Sequence, residues 1–351
     1  MGKLEGAQSD GSVDKTPALR EHAFSSPRHR THYWEAGPVG GPLMIFLHGW
    51  PEIGLMWRAH MSAFASDGWH CVAPDMRGYG ASSAPSSTDA YTQQEIVQDM
   101  VELHDHLGGQ PAIWIGHDWG SPVVGEVAAH HDFRSRGAVL MSVPYFAEGF
   151  ALPTLVPLID RQLYPADKYP YGQWDYFRFY QTHFDSAVTD FNADVSATLA
   201  SIFRLGNPAA AAKLSPSALV TANGGRYGAA HRAPATTPER ALWPGSDFAI
   251  LVSAFQATGF RPANAWYLHD DANIAFARNA PGNGRLSQPV LFINGTYDPI
   301  CDVTGNRLAE PMKIACQNLS LSNMATGHWA PLEHKAETIE AIRSWLNAQR
   351  L

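Results

Sequence analysis

Four short apolar runs recur in the first half of the chain, at Pro42–His48, His70–Pro74, Ala112–Gly116 and Ala138–Val143. Each run is continuous rather than alternating, the pattern of a strand buried on both faces and hence of a parallel sheet. Between them, Thr92–Leu107 sets Ile96, Met100, Leu103 and Leu107 on a helical repeat, and Gly108–Gly109 supplies its stop. Alternation of this kind predicts an α/β fold, a mostly parallel sheet with helices on both faces. The pattern lapses after Pro144. Residues 146–275 are rich in aromatics, proline and alanine and offer no comparable strand. Within them, 206–245 reads as a long Ala/Pro/Gly/Ser loop, the signature of a lid or a mobile segment. Strand signals return at Pro289–Asn294 and Leu319–Ser322. A last helix, Ala336–Asn347, carries Ile339, Ile342 and Leu346 on one face. Residues 28–145 and 276–351 are therefore expected to form one unit, interrupted by a helical cap over 146–275. Residues 1–27 read as a mobile tail and lead-in, polar to about residue 20, and no internal repeat is present.

Composition narrows the function only a little. The 351 residues carry a net charge of -8 and are 45% hydrophobic and 17% charged, an ordinary globular balance. That charge gives no footing for nucleic acid or an anionic membrane. Cys71, Cys301 and Cys316 form no disulfide framework and no metal spacing. The N-terminus has no apolar signal-peptide core, and no run approaches the roughly 20 apolar residues of a membrane span. A cytoplasmic location is expected. The sequons at Asn294 and Asn318 then carry no meaning, and Gln349–Leu351 only faintly echoes a peroxisomal tripeptide. Oligomeric state is left open.

The chemistry starts at Gly116-His-Asp118-Trp-Gly120, where a strand runs into small-x-acid-x-small. Two glycines permit a tight turn that thrusts the middle residue out at the top of the sheet. A carboxylate there is ionised at neutral pH and attacks saturated carbon without a base, leaving an ester for water to cleave. It also sits at the positive end of the next helix. Alone, such an aspartate is as often a plain N-cap.

The wider pattern decides between these readings. GHDWG, with His48-Gly-Trp-Pro-Glu52 and Asp75–Gly80 before it, resembles the epoxide hydrolases of the α/β-hydrolase superfamily. It is also similar to their relatives, the haloalkane and haloacid dehalogenases. The resemblance spans about 28–350 and weakens over 182–255; Ser121 departs from it where many relatives have glycine. It implies an α/β-hydrolase fold with an inserted helical cap, and a cis bond before Pro51. It implies an oxyanion hole from the backbone N–H groups of Trp50 and Trp119, no organic cofactor and no metal. Glu52 reads as structural support and Asp75–Gly80 as a strand-end turn.

Sixteen histidines compete for the role of base. His328, in Gly327-His-Trp329 between the last strand and the last helix, stands where this fold keeps its catalytic histidine. His334 reads as a solvated rival. Asp298, after the strand Pro289–Ile293, matches the position of the acid that orients the base, with Asp302 as its rival. The order nucleophile, acid, histidine is that of the family.

The cap must name the leaving group. An epoxide leaves as an alkoxide and needs a proton, which tyrosine can donate at neutral pH. Epoxide hydrolases use two cap tyrosines. Trp174–Gln181 resembles the first motif and points to Tyr176, with Tyr180 and Tyr171 as rivals; Gly259–Tyr267 resembles the second and points to Tyr267. Trp50, Trp119, Phe177 and Tyr180 are expected to bind substrate in an apolar pocket. Expected partners are thus a small apolar epoxide and water. A haloalkane dehalogenase built on the same triad is the alternative, and a silent ligand-binding relative a further one. Trp119, in place of arginine, argues against a fluoroacetate-type enzyme.

Overall fold

A computed structural model describes residues 18–351; of the tail and lead-in expected over 1–27, residues 1–17 lie outside the described residues. Eight strands form one sheet in the order β1-β2-β4-β3-β5-β6-β7-β8. They are β1 (Arg20–Ser25), β2 (Arg30–Ala36), β3 (Leu43–Leu47), β4 (His70–Pro74), β5 (Ala112–His117), β6 (Ser135–Met141), β7 (Leu286–Gly295) and β8 (Cys316–Met324). β1 pairs antiparallel with β2 and β2 with β4, and every other pairing is parallel. β3, β4 and β5 are buried at every position, as their continuous apolar runs require.

Helices α1 (Arg58–Ser66), α2 (Gln93–His106) and α3 (Gly120–His130) connect the early strands, and α10 (Lys335–Gln349) closes the chain. α2 begins at the Thr92 cap, whose hydroxyl accepts from the Glu95 N–H. After β6 the chain leaves the sheet. It forms α4 (Asp175–Thr182), α5 (Phe184–Asn192), α6 (Val195–Ile202), α7 (Gly245–Thr258), α8 (Arg261–Ala265) and α9 (Asp270–Arg278), with no strand among them, before β7. Residues 203–244 hold only short 3-10 turns.

Two strands depart from expectation. β1 falls inside the stretch read as tail and lead-in, and β2 had no apolar run to announce it. β1 is largely exposed, and the buried polar residues of β2 are satisfied by pairing. The Glu35 carboxylate takes Arg20, His22 and His70 at 2.7–3.0 Å, and His32 Nδ1 meets Asp75 Oδ2 at 2.8 Å. No helix among the described residues is long and apolar enough to cross a membrane.

Candidate active site

The strands converge on a turn that only glycine neighbours allow. β5 ends at His117 and Asp118 turns out with φ +50°, a left-handed conformation costly for a side chain other than glycine. A Cβ on Gly116 would lie 2.4 Å from the Gly120 carbonyl oxygen, and one on Gly120 2.3 Å from that of Leu47. Both positions are closed to any side chain. Ser121 fits in its own way: its hydroxyl accepts from the Met141 N–H at 3.0 Å and has the Gly116 carbonyl within 2.9 Å to receive its proton.

The loop after β3 supplies the next contact. Trp50 and Pro51 are joined by a cis bond, and the Trp50 N–H donates to Asp118 Oδ1 at 2.7 Å. A Cβ on Gly49 would fall 2.4 Å from that same oxygen. The Trp119 N–H opens the helix beside Gly49 and makes no hydrogen bond to the carboxylate in this state. His48, fully buried, donates from Nδ1 to the Gly49 carbonyl and accepts the Met76 N–H at Nε2. Burial holds it below the usual histidine range despite the Asp75 carboxylate, so it braces the loop as a neutral ring. Asp75 takes the N–H groups of Gly54 and Ala81, a turn staple.

His328 follows β8 and lies between two carboxylates. Its Nδ1 is 2.7 Å from Asp298 Oδ2 and its Nε2 3.4 Å from Asp118 Oδ2. Burial disfavours the charged ring, but the Asp298 charge and the bonds to Asp118 and Asp298 outweigh it and hold His328 well above the ordinary histidine range. Burial likewise opposes ionisation of Asp298. The His328 charge and the N–H groups of Ile300 and Cys301 overcome that and keep it below the usual carboxylate range. The rival Asp302 is occupied elsewhere, accepting from Asn294 Nδ2 and the Thr304 N–H. His334 sits at the helix entrance among Glu333 and Glu337.

One link behind this group was not read from the sequence as more than support. His117 Nε2 donates to the His328 carbonyl at 2.7 Å, and its Nδ1 is 3.0 Å from Glu52 Oε2, which also accepts the Gly49 N–H. A carbonyl can only accept, so Nε2 carries a proton. The fully buried His117–Glu52 pair then shares one more, and ties the Trp50 loop to the His328 loop. The signal available was a histidine before Asp118 and a glutamate after Pro51.

The helices between β6 and β7 bring three phenols to this group. Tyr176 and Tyr180 lie one turn apart on α4, and Tyr267 follows α8. Ring centroids are 6.0 Å apart for Tyr176 and Tyr267 and 5.1 Å for Tyr180 and Tyr267. Burial, with the Asp118 charge adding, pushes Tyr176 and Tyr267 well above the ordinary phenol range, so both stay protonated. Trp50 Nε1 donates to Asn264 Oδ1 at 2.9 Å, which fixes the Trp50 loop against α8.

These groups line one cavity of about 1290 Å³, with Trp50, Asp118, Tyr176, Tyr180, Tyr267 and His328 at one end and the 206–245 loop at the other. Two residues expected to bind substrate do not line it. Trp119 and Phe177 pack behind Tyr267, at 5.1 and 4.9 Å between ring centroids, because the tyrosine itself forms the wall. Tyr171 lies outside, stacked under Arg178. Among the described residues, the group nearest to a metal-ligand set is Asp298, Cys301 and His328. Asp298 and His328 already bind one another, and burial, with Asp298 adding, pushes the Cys301 thiol up to about 12. That arrangement suits proton transfer better than a metal.

Known proteins place this geometry in a family. Residues 42–335 match the family described as alpha/beta hydrolase fold. Epoxide hydrolase A of Mycobacterium tuberculosis is 30% identical over 323 residues, covering 90% of this chain and 94% of that protein. An epoxide hydrolase of Caballeronia sordidicola is 28% identical, covering 96% and 97%. Among solved structures, an epoxide hydrolase from an endophytic Streptomyces superimposes with a TM-score of 0.76 at 27% identity, covering 96% of this chain and 97% of that one. Epoxide hydrolase A from Mycobacterium thermoresistibile gives 0.74 at 27% identity, covering 94% and 98%. The chain belongs to the α/β-hydrolase fold family, among its epoxide hydrolases.

Proposed function

We propose that the chain hydrolyses an epoxide to a vicinal diol through a covalent ester on Asp118. The observation that carries this reading is a carboxylate with one oxygen bound by the Trp50 N–H and the other facing His328, beneath two protonated phenols. Asp118 Oδ2 attacks an epoxide carbon, while Oδ1 becomes the ester carbonyl oxygen. Tyr176 and Tyr267 hydrogen-bond the oxirane oxygen, and one of them passes its proton to the alkoxide. The tyrosinate regains a proton from the His328 imidazolium by way of solvent. Neutral His328, held by Asp298, then takes a proton from water as it attacks the ester carbon. The Trp50 and Trp119 N–H groups stabilise the tetrahedral oxyanion. On collapse, His328 returns its proton to the departing alkoxide oxygen. The regenerated carboxyl protonates the histidine, and the cycle closes.

Alkylation also retunes the base. Esterified Asp118 has lost its negative charge, so one of the groups that raise His328 is gone and its pKa falls toward neutrality. The acid limb of the ester-hydrolysis rate should therefore lie below the pKa of His328 in the free enzyme. Single-turnover rates across pH, set beside an NMR titration of His328, check this. An acid limb at or above the free-enzyme value would contradict it.

Incubation with styrene oxide and with bromoalkanes separates this reading from a dehalogenase, which releases bromide, and from a silent binder, which yields neither product. The two phenols favour the epoxide, because a departing halide needs no proton. Replacing Tyr267 or Tyr176 by Phe should slow ring opening about ten- to a hundredfold, and replacing both by about a thousandfold or more. Styrene oxide consumption at the wild-type rate by the folded double variant would remove the main support for an epoxide substrate.

A further inference from the structure

The loop that carries His328 is held at both of its flanks by one residue. The Glu333 N–H donates to the Trp329 carbonyl at 2.8 Å, and Glu333 Oε2 accepts the Gly327 N–H at 3.2 Å. The same oxygen accepts the Gly206 N–H at 2.9 Å. A carboxylate that takes two backbone N–H groups makes strong, charge-assisted bonds, and the Glu333 side chain is only 9% exposed. Gly206 belongs to the segment between α6 and α7, 127 residues earlier in the chain. It packs so closely that a Cβ on it would fall 2.2 Å from the Gly327 nitrogen. A second tie runs beside the first. Trp329 Nε1 donates to the Ile202 carbonyl at 3.3 Å, and the Trp329 ring lies 4.4 Å from that of Phe203. On the opposite side, the His328 carbonyl accepts from His117 Nε2 at 2.7 Å and from the Ser142 hydroxyl at 2.9 Å. His328 is thus suspended between the sheet and the segment after α6.

We propose that Glu333 is a positioning residue for ester hydrolysis, clasping the Gly206 segment to the His328 loop so that the imidazole stands where it can take a proton from water. The proposal rests on the covalent reading above and assigns the clasp to its second step. Glu333 lies outside the cavity lining and acts through Gly327, Trp329 and Gly206. The groups that open the ring have other supports: Asp118 the turn after β5, Tyr176 helix α4, and Tyr267 the turn after α8. Loss of the clasp therefore spares the first step. It harms the second, because a general base displaced by about 1 Å can lose on the order of 100-fold in rate.

The test mixes each variant with excess styrene oxide and follows enzyme mass and diol together through quenched time points. Glu333→Ala should alkylate at nearly the wild-type rate and release diol about 10- to 100-fold more slowly, so that the alkylated form accumulates. Gly206→Ala leaves Glu333 in place and forces the two segments apart from the other side. It should give the same pattern, and it reads the contact even where Glu333→Ala does not fold. Glu333→Gln keeps an oxygen able to accept both N–H groups and should restore most of the diol rate. The double variant Glu333→Ala/Gly206→Ala should be little slower than the slower single one, since both break one contact. Folded variants that slow both steps alike, or that release diol at the wild-type rate, overturn the proposal.

An NMR titration of the resting enzyme repeats the test without turnover. Against burial, the Asp298 charge and the bonds to Asp118 and Asp298 hold His328 well above the ordinary histidine range, and they do so only while the ring lies between them. Its pKa should fall in Glu333→Ala and return in Glu333→Gln. A titration that Glu333→Ala leaves unchanged overturns the clasp whatever the chemistry. A lowered titration in a protein that never gains substrate mass, as wild type or as His328→Gln, upholds the clasp and overturns the covalent reading.

Discussion

Asp118→Ala should abolish diol formation, by about 10⁴-fold or more, with the fold intact. The loss is large because no neighbouring group can replace the carboxylate as attacking atom. His328 is protonated in the resting site, Asp298 is spent on its Nδ1 and on two backbone N–H groups, and Cys301 is held as a thiol by burial. Loss of the Asp118 charge lowers His328 and frees it as a base toward water, so the residual rate is that of direct water attack on the oxirane without a positioned nucleophile. The fold should survive because Ala keeps the Cβ already tolerated at φ +50° and leaves the glycine contacts at 116 and 120 untouched. One N–H, that of Trp50, loses its acceptor, which costs about 1–3 kcal/mol if water does not replace it. Circular dichroism and a thermal melt establish folding, and a styrene oxide assay gives the rate. Near-normal diol production by a folded variant would overturn the covalent scheme.

The sheet was legible where burial on both faces leaves nothing but apolar residues. β3, β4 and β5 are of that kind, and their runs name them without help. β8 is an edge strand with alternating exposure, so only its middle, Leu319–Ser322, gave a signal. β1 and β2 gave none. Their interior polar groups are balanced by partners far along the chain, such as His70 for Glu35, and no local pattern encodes that pairing.

The site divides in the same way. Asp118, Asp298 and His328 each follow a strand, and turn chemistry at a strand end is local, so strand-end position together with the family resemblance pointed to them. The His117–Glu52 link is not local: it joins two loops through a backbone carbonyl, and backbone partners leave no mark in residue types. The same holds for the 206–245 loop. Its composition announces a loop, but its position depends on Gly206. A Cβ on that residue would meet the Gly327 nitrogen at 2.2 Å. Glu333 Oε2 accepts both the Gly206 and the Gly327 N–H, at 2.9 and 3.2 Å. This segment is thus fastened to the loop bearing His328 by a carboxylate that reads, in the sequence, as one more charge at a helix entrance. Phe177 was expected at the pocket surface on aromatic character and Trp119 on its place after Asp118, and neither signal tells a ring that faces substrate from one that supports a tyrosine.

His328→Gln should separate the two chemical steps. Asp118 needs no base to attack, and the proton for the alkoxide comes from a phenol, so ring opening and ester formation should proceed. Hydrolysis of the ester should stall, since a Gln side chain cannot take a proton from water and burial excludes a substitute base. The enzyme should therefore accumulate in the alkylated form. Asp298→Asn should show a milder form of this defect. The imidazole would keep a neighbour at Nδ1 but lose the charge that fixes its tautomer and stabilises its protonated form. Intact-protein mass spectrometry after mixing His328→Gln with excess epoxide reads the result directly: a gain of one substrate mass, mapping to the peptide that holds Asp118. A folded variant that stays unmodified would mean that His328 acts before or during ring opening, or that water attacks the epoxide with Asp118 as its base. Either outcome would replace the two-step scheme while leaving the α/β-hydrolase fold as it stands.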